Sequence, residues 1–525
     1  MGIHEPEIRQ IVTGERVNKG DPIMNERKSQ PAKALRFEGL GRYWPYLLVV
    51  LGFFPIAVAF SRMIAAPSDD AYIFMTYAKN FIEGNGLTFN GEVVQGFSST
   101  LWVALLVLFG YSGVPMPVLA ETLSLFSGLF ALIATYALAK SLKIEPKWMT
   151  LLPVALLVAS GDFVFYMSSG LEEVLFTALM TLCAAVVYSQ PPEKLLHPGN
   201  LTFPLLMALM VLARPEGAMI AGLLLLILAI RNRSPWLSVL CGLKMTLMLA
   251  PVFSATRLYY GYWLPNTWYA KGNAGLSNLN HGAGYFFDAL WRYAGLIAAW
   301  VGFTGYLVWK KNLAVLGKIS TLLVISIIWF TYILTQGGDN MVGGRVLIPV
   351  LPLVYVALVK IMSEIRIPAD TAVYVVILII TFLVTGYLTD QWVTEQRGNW
   401  HNAYRLRKAS AMYLVENFPD TTVVAVSAAG VIPYYTGMTT IDTLGLNNVH
   451  IAHEGKRDYK LRYGHQVGDG EYVLSREPDV IFLLDWTGTW AWVRDREIID
   501  DPEFIENYTL LELPGMRPMY IRNDS

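Results

Sequence analysis

Charge and cysteine are scarce in this chain of 525 residues. Only 15% of the residues are charged, whereas a soluble protein of this size carries about a quarter. The two cysteines, Cys183 and Cys241, lie inside apolar runs, which excludes a disulfide framework and a cysteine-based metal site. No P-loop or dinucleotide fingerprint is present. The formal net charge of −1 supplies no field for nucleic acid, so no nucleic-acid partner is expected.

Apolar residues are abundant instead: 54% of the chain is hydrophobic, and its mean hydropathy is +0.42. Such an excess has to face lipid, so we predict a polytopic α-helical membrane protein. The first apolar run follows a polar tail, residues 1–42, and starts too late for a cleaved signal peptide. Eleven predicted spans lie near residues 43–64, 116–140, 149–168, 171–190, 200–213, 217–231, 235–256, 287–309, 318–336, 346–362 and 371–390.

Lysine and arginine predict the orientation, because they are enriched in cytoplasmic loops. The tail is basic, so we place the N-terminus in the cytoplasm; an odd number of spans then leaves residues 391–525 outside. The transmembrane core, residues 43–390, includes a first outer loop at 65–115 with a short apolar stretch, Leu101–Phe109, predicted to be interfacial or re-entrant. Five outer loops carry the unusual polar clusters and predict one composite site; these clusters are residues 68–70, 168–173, 214–217, 264–271 and 337–345.

The first outer loop contains an amphipathic pattern from Ala71 to Ile82, which predicts a helix along the membrane interface. Asp69 and Asp70 lie at its start. They are candidates to cap the helix, with Ser68 as a further cap. A carboxylate at this position is equally suited to take the proton from an acceptor hydroxyl as that hydroxyl attacks an anomeric carbon.

Cations in two further outer loops, Lys271 and Arg345, are candidates to hold a lipid phosphate at the outer surface. The alternative is that they hold anionic lipid head groups or anchor the spans. Asp339 lies in a glycine-rich turn, which lets the backbone approach a ligand closely.

The remaining acidic candidates have structural alternatives too. Glu172 and Glu173 either bond to sugar hydroxyls or cap the fourth span. Arg214 and Glu216 either line the sugar site or pair with each other. Tyr269 could stack on a sugar, although interfacial aromatic residues are usually belt residues.

The composition changes near residue 391, and residues 391–525 predict a small α/β domain over the outer membrane face. Within it, 402–417 reads as a helix, and 422–426 and 480–484 read as buried strands. Residues 427–430 form a small-residue turn with a weak anion-binding signature. Three unusual polar features of this domain either cover an acceptor site or form surface loops: Asp442, Asn447 and residues 464–470.

The chain resembles the GT-C class of membrane glycosyltransferases and is most similar to the terminal arabinofuranosyltransferases of the mycobacterial cell wall. Nine runs in family order carry the resemblance: SDDAYIFMTYAKNFIEGNGLTFN (68–90), GFSSTLW (96–102), SSGLEEVLF (168–176), ARPEG (213–217), LPNTWYAK (264–271), GGDNMVGGR (337–345), SAAGVIPYYTG (427–437), IDTLGLNNVHIAH (441–453) and GHQVGDGEYVLSREPDVI (464–481).

The resemblance implies a helical membrane core with interfacial helices, an extracytoplasmic C-terminal domain and a place in the bacterial inner membrane. It also implies a lipid-phosphate sugar donor and an aspartate-dependent site, with Asp69 and Asp70 as the catalytic pair. By analogy, Lys271, Arg345 and Arg214 hold the donor phosphate. The residues assigned to the sugar and acceptor are Glu172, Glu173, Glu216, Asn266, Tyr269, Asp339 and His465.

The predicted function is therefore transfer of a sugar, with arabinofuranose as one candidate, from a polyprenyl-phosphate donor to an extracytoplasmic glycan, lipid or protein. No cofactor is assigned, and a divalent cation is left open. The rival is a polytopic transporter or a lipid-linked sugar flippase, which places its binding groups near the bilayer midplane between repeated halves. No such repeat is visible, and the polar clusters lie at the ends of spans.

Overall fold

The computed structural model describes residues 44–271, 278–457, 466–483 and 493–524. Residues Pro45–Ser525 form one compact unit. The cytoplasmic tail predicted at 1–42 and His465 lie outside the described residues.

Helices dominate the chain up to residue 390, and two short 3-10 segments, Lys147–Leu151 and Arg345–Val350, each run into the helix that follows. The α-helices are α1 Trp44–Ile64, α2 Asp69–Ile82, α3 Thr100–Gly110, α4 Met116–Ser141, α5 Leu152–Ala159, α6 Gly161–Tyr166, α7 Glu173–Ser189, α8 Pro192–Leu195, α9 Thr202–Ala213, α10 Gly217–Asn232, α11 Pro235–Tyr260, α12 Asn266–Ala270, α13 Leu279–Leu290, α14 Ala294–Trp309, α15 Ala314–Lys318, α16 Ser320–Gln336, α17 Leu351–Glu364 and α18 Ala369–Thr389.

Within the described residues, five helical segments are long and apolar enough to cross a membrane by length and composition: α1, α4, α11, the segment Arg345–Glu364 and α18. Each of the other six predicted spans corresponds to a shorter apolar helix. The predicted helical membrane fold is confirmed, and the chain is a multi-pass membrane protein. The count of eleven crossings stays a prediction.

Two predicted spans are not the continuous helices that hydropathy indicates. In the segment predicted at 149–168, α5 ends at Ala159 and the backbone of Ser160 is extended. The Ser160 hydroxyl donates to the Leu156 carbonyl (2.8 Å) and lies 2.6 Å from the Tyr355 hydroxyl, so polar contacts support the break. The segment predicted at 287–309 is likewise divided, because α13 ends at Leu290 and α14 starts at Ala294.

The C-terminal part has the predicted α/β architecture. Its five-stranded sheet has the order β2-β1-β5-β7-β6, with β1 parallel to β2 and β5, and with β7 antiparallel to β5 and β6. A separate two-stranded sheet joins β3 and β4. The elements are α19 Gln391–Asn417, β1 Val423–Val426, α20 Val431–Thr436, β2 Thr439–Asp442, α21 Val449–Glu454, β3 Lys456–Arg457, β4 Val467–Gly468, α22 Gly470–Ser475, β5 Val480–Phe482, α23 Val493–Ile499, α24 Pro502–Asn507, β6 Tyr508–Leu511 and β7 Met519–Arg522.

The segments that follow β1 and β2 contact helix α2: Gly430 donates its N–H to Asp69, and Tyr77 donates its hydroxyl to Asn447. Helix α2 packs between α3 and α20, and it begins two residues earlier than the sequence indicates, at Asp69. Ligands of α/β sheets commonly lie outside the carboxyl ends of parallel strands. The fold therefore brings such a strand edge next to the helix that carries the aspartate pair.

Candidate functional site

A cavity of about 1050 Å³ lies between polar loops of the helical part and the C-terminal domain. Four of the five polar clusters singled out in the sequence reach its wall, although up to 276 residues of chain separate their members. The candidate residues that line the cavity are Asp69, Asp70, Arg214, Glu216, Lys271, Asp339 and Arg345. The structure therefore brings the predicted acids and cations together in one place.

Asp70 faces the cavity from the first turn of α2, and its side chain is only partly buried. Its carboxylate makes no hydrogen bond or ion pair with another described residue. Burial raises the pKa of Asp70, while the positive charges of Arg345 and Lys271 oppose that shift and the negative charges of Asp69 and Asp339 add to it. A carboxylate with a raised pKa and no partner is suited to accept a proton.

Asp69 is held by the C-terminal domain. Its Oδ2 accepts a hydrogen bond from the backbone N–H of Gly430 (2.9 Å), and its Oδ1 accepts one from that of Val431 (3.1 Å). Arg407 also donates to Oδ1 (3.3 Å). Ser68, at the start of α2, makes no side-chain capping bond. Asp69 thus bonds across the domain boundary and does not cap its own helix.

Arg214 lies at the centre of an acidic cluster. It donates to Glu172 (3.0 Å), to Glu173 (3.2 Å) and through two nitrogens to Glu216 (3.2 and 3.4 Å). Tyr332 also donates to Glu216, at 2.8 Å. Burial raises the pKa of Glu216, but Arg214 outweighs that effect and brings the pKa to about 2. Arg214 and Glu216 therefore pair, as the structural alternative anticipated, and both still line the cavity.

Arg345 is also compensated by carboxylates. Asp339 accepts two of its hydrogen bonds, at 2.6 and 2.8 Å, and Glu173 accepts a third at 3.2 Å. Gly344, in the glycine-rich turn that contains Asp339, packs closely against another part of the chain: a Cβ at this position would lie 2.5 Å from the carboxylate of Asp162. The structure therefore explains this glycine of the turn by close packing of the chain.

Among the described residues, Lys271 is the cation of the cavity wall for which the structure shows no carboxylate partner. It makes no hydrogen bond or ion pair with any residue that the structure describes, whereas Arg214, Arg345 and Arg407 each have one or more. Burial lowers the pKa of Lys271, and Arg345 and Arg214 lower it further; Asp70 and Asp339 act in the opposite direction. Lys271 and Asp70 are thus opposite charges that line one cavity and have no bonded partner among the described residues.

Four of the predicted sugar or acceptor residues do not line the cavity. Glu172 and Glu173 are almost fully buried and lie behind the two arginines, whose charges they compensate. Asn266 donates to the backbone carbonyls of Gly445 (2.7 Å) and Asn448 (3.0 Å). Tyr269 packs on the ring of His453 at 4.1 Å. These side chains support the cavity wall from behind, or lie away from it.

The structure adds wall residues that the sequence analysis did not single out. One group comes from α19, where Trp400, Tyr404 and Arg407 line the cavity at a helical spacing of four and three residues. This spacing can be read from the sequence, where it indicates that the three side chains share one face of a helix. Two residues that the sequence analysis did single out in the C-terminal domain also line the cavity: Ser427, which follows β1, and Asp442, at the end of β2. Within the described part of the chain, no group of three or more His, Cys, Asp or Glu side chains could hold a metal ion.

Parts of the chain are similar in sequence to a family model and to two named relatives. Residues 394–519 match a family model described as a domain of unknown function, DUF8728. A terminal beta-(1->2)-arabinofuranosyltransferase of Mycobacterium tuberculosis is 34% identical over 232 residues, which are 40% of this chain and 35% of that protein. The protein of the same name from Corynebacterium glutamicum is 28% identical over 333 residues, or 54% of this chain and 46% of the relative. The matches thus span less than half the length of either relative.

Solved structures share the fold across most of the chain. ArnT from Cupriavidus metallidurans, bound to undecaprenyl phosphate, superposes with a TM-score of 0.56 at 12% identity, covering 91% of this chain and 98% of that one. The Archaeoglobus fulgidus oligosaccharyltransferase tethered to an acceptor peptide gives 0.50 at 11% identity, covering 93% and 75%. The chain therefore shares the fold of these membrane proteins and is similar in sequence to arabinofuranosyltransferases, and the predicted resemblance is confirmed.

Proposed function

We propose that the protein is a membrane glycosyltransferase that moves a sugar from a polyprenyl-phosphate donor to an acceptor on the non-cytosolic side of a bacterial inner membrane. The names of the two curated relatives support sugar transfer, with arabinofuranose as the candidate sugar. The undecaprenyl phosphate in the ArnT structure supports the class of donor. The acceptor is a glycan, a lipid or a protein hydroxyl.

The observation that carries this proposal is the pair Asp70 and Lys271 in one cavity, with neither charge compensated by a bonded partner among the described residues. In the proposed reaction, the acceptor hydroxyl attacks the anomeric carbon and forms the new glycosidic bond. The bond between that carbon and the phosphate oxygen breaks, and polyprenyl phosphate leaves. Asp70 takes the hydroxyl proton, and Lys271 stabilises the charge that develops on the departing phosphate.

Asp70 is the better candidate for the base because Asp69 is already occupied. Both Asp69 oxygens accept hydrogen bonds from the C-terminal domain, and Arg407 adds a positive charge. Hydrogen bonds to the ionised form favour that form and make a carboxylate a weaker base. The carboxylate of Asp70, which has no bonded partner among the described residues, lies one residue along the same helix, and burial raises its pKa.

Arg345 and Arg214 hold the donor in this proposal through the N–H groups that their carboxylate partners leave free. Their orientation is fixed by Asp339, Glu172, Glu173 and Glu216. A fixed guanidinium loses little side-chain entropy when it binds a phosphate or sugar oxygen. The two arginines therefore give the site its geometry, while Lys271 supplies the uncompensated charge.

The test is the variant Asp70→Asn, assayed in membranes with radiolabelled polyprenyl-phosphate arabinofuranose and transfer of label to envelope material. Loss of a general base lowers kcat by about 100-fold to 10,000-fold. Asp420→Asn changes an exposed aspartate and should keep wild-type activity. Because protonated Asp70 cannot act as a base, wild-type activity should fall as the pH falls through the raised pKa. Full transfer by Asp70→Asn would show that this acid is not the base.

A further inference from the structure

Helix α2, which carries Asp70, contacts the C-terminal domain along its whole length. At its start, Asp69 accepts the N–H groups of residues 430 and 431. Two turns later, the Tyr77 hydroxyl lies 3.1 Å from Asn447 Oδ1. Near its end, the Lys79 ammonium donates to the Tyr434 carbonyl at 3.3 Å. The position of α2 over the cavity therefore depends on helix α20 and the neighbouring loops, which belong to the domain of unknown function.

The contact at the start of α2 is the tightest of these. A Cβ placed on Gly430 would overlap the backbone carbonyl oxygen of Asp69, so the two backbones touch. The φ of Gly430 is −101°, which any residue can adopt. The requirement for glycine at this position is therefore steric and arises from the approach of Asp69.

Arg407 adds a charge to this contact. It comes from α19 and lies 3.3 Å from Asp69 Oδ1, and both side chains are mostly buried. The Asp69 carboxylate thus receives bonds from two backbone N–H groups and one guanidinium, all supplied by the C-terminal domain. Charge-assisted bonds of this kind are stronger than neutral ones and hold one geometry.

We propose that Asp69, Gly430 and Arg407 are positioning residues, through which the C-terminal domain holds Asp70 at the distance that proton transfer needs. This inference rests on the proposed role of Asp70 as the base. It assigns to the domain of unknown function a positioning part in catalysis, because the domain fixes the first turn of α2 and with it the Cα of Asp70.

The physical basis is the covalent link between neighbours on a helix. Side chains at adjacent helix positions point in different directions, so Asp69 can bond to the C-terminal domain while Asp70 faces the cavity. Releasing Asp69 removes the hydrogen bonds and the ion pair that tie the first turn of α2 to the C-terminal domain, so that turn is free to shift. Misplacing a catalytic group by about 1 Å costs on the order of 100-fold in rate.

The test compares Asp69→Asn and Gly430→Ala with Gly398→Ala in the full-length protein. Gly398 lies in α19, and a Cβ there meets nothing within 4 Å, so this control should behave like wild type. We expect both test variants to lower kcat by about 10-fold to 100-fold, with the donor KM changed by no more than roughly threefold. Thermal unfolding in detergent checks that each variant is folded.

The pH–rate profile separates positioning from a general loss of structure. The charges that face Asp70 are those of Asp69, Asp339, Arg345 and Lys271. Asp69→Asn removes a negative charge that raises the pKa of Asp70, so the acidic limb of the profile should move to lower pH. Gly430→Ala keeps that charge and should leave the limb closer to its wild-type position.

The outcomes decide between the two proposals. A folded Gly430→Ala protein with wild-type kcat overturns the positioning role, and so does Asp69→Asn with unchanged kcat and limb. If Gly430→Ala does not fold, Asp69→Asn and Arg407→Lys decide; Arg407→Lys keeps the charge and should retain more activity than Arg407→Gln. Full activity of Asp70→Asn would instead overturn the base assignment. If Asp70→Asn is inactive and the variants of Asp69, Gly430 and Arg407 are all fully active, the positioning role is overturned and the assignment of Asp70 as the base stands.

Discussion

Replacing Lys271 with glutamine tests how the site holds its donor. Lys271 lines the cavity, and no carboxylate among the described residues pairs with it. A hydrogen bond to a charged group contributes about 1.5–3 kcal/mol. Because about 1.4 kcal/mol corresponds to tenfold in an equilibrium constant, Lys271→Gln should weaken polyprenyl-phosphate binding by about 10-fold to 150-fold. Lys271→Arg keeps the charge and should restore most of that loss.

The pH dependence sharpens this prediction. Burial and the neighbouring arginines lower the pKa of Lys271, while Asp70 and Asp339 partly offset that shift. Lys271 therefore loses its proton, and donor binding weakens, at a lower pH than an ordinary lysine would show. An arginine stays protonated in this range. We expect wild-type affinity to decline on the alkaline side, and the affinity of Lys271→Arg to stay level.

The assay is equilibrium binding of polyprenyl phosphate, without a sugar, to the purified full chain in nanodiscs across a pH series. Arg62→Gln is the control, because Arg62 is an exposed cation that pairs with Glu121 away from the cavity. Unchanged affinity in Lys271→Gln would refute the assignment of the phosphate to this lysine. If the wild-type affinity declines only at the pH at which the Lys271→Arg affinity also declines, the argument from the lowered pKa of Lys271 is refuted.

Two further predictions concern the support of the site. Glu173→Gln removes the buried carboxylate shared by Arg214 and Arg345 and should lower the free energy of unfolding by about 3 kcal/mol. The control Glu121→Gln, at a solvent-exposed ion pair, should lower it by less than about 1 kcal/mol. Equal losses of stability in the two variants would contradict the argument. Gly344→Ala places a methyl group 2.5 Å from Asp162 Oδ2 and should lower the melting temperature, whereas Gly302→Ala, with open space around its Cβ, should not. A wild-type melting temperature for Gly344→Ala would show that the turn can move away.

The membrane helices were predictable because a helix in lipid needs a long, continuous run of apolar residues. A crossing needs about 20 apolar residues, so hydropathy alone located α1, α4 and α18 within two residues at each end. The break at Ser160 was not predictable in this way. It depends on a contact with Tyr355, which is 195 residues further along the chain. Hydropathy cannot report such a partner.

The location of the candidate site was predictable from the sequence, but the role of each carboxylate in it was not. Parity of the predicted spans places the polar loops on one membrane face as an expectation, and the structure brings Asp70, Lys271 and Arg345 to one cavity. Which carboxylates face that cavity depends on their partners. Glu173 is taken by two arginines that lie 41 and 172 residues away. Its sequence context, at the start of a helix, equally fits a cap or a ligand.

Lys271 is the cation available to meet the negative charge of the donor phosphate. Arg214 and Arg345 are bonded to four carboxylates, whereas Lys271 has no bonded carboxylate among the described residues. A sugar linked through a phosphodiester carries one negative charge, which this lysine can match. In the proposed transfer, Asp70 becomes neutral as it takes the proton, and the departing phosphate gains the corresponding negative charge. The total charge of the site is conserved while the negative charge moves onto the phosphate, so in this proposal Lys271 stabilises the transition state more than the bound donor. Lys271→Gln should therefore lower kcat as well as donor affinity, and an unchanged kcat would mean that the leaving phosphate departs elsewhere.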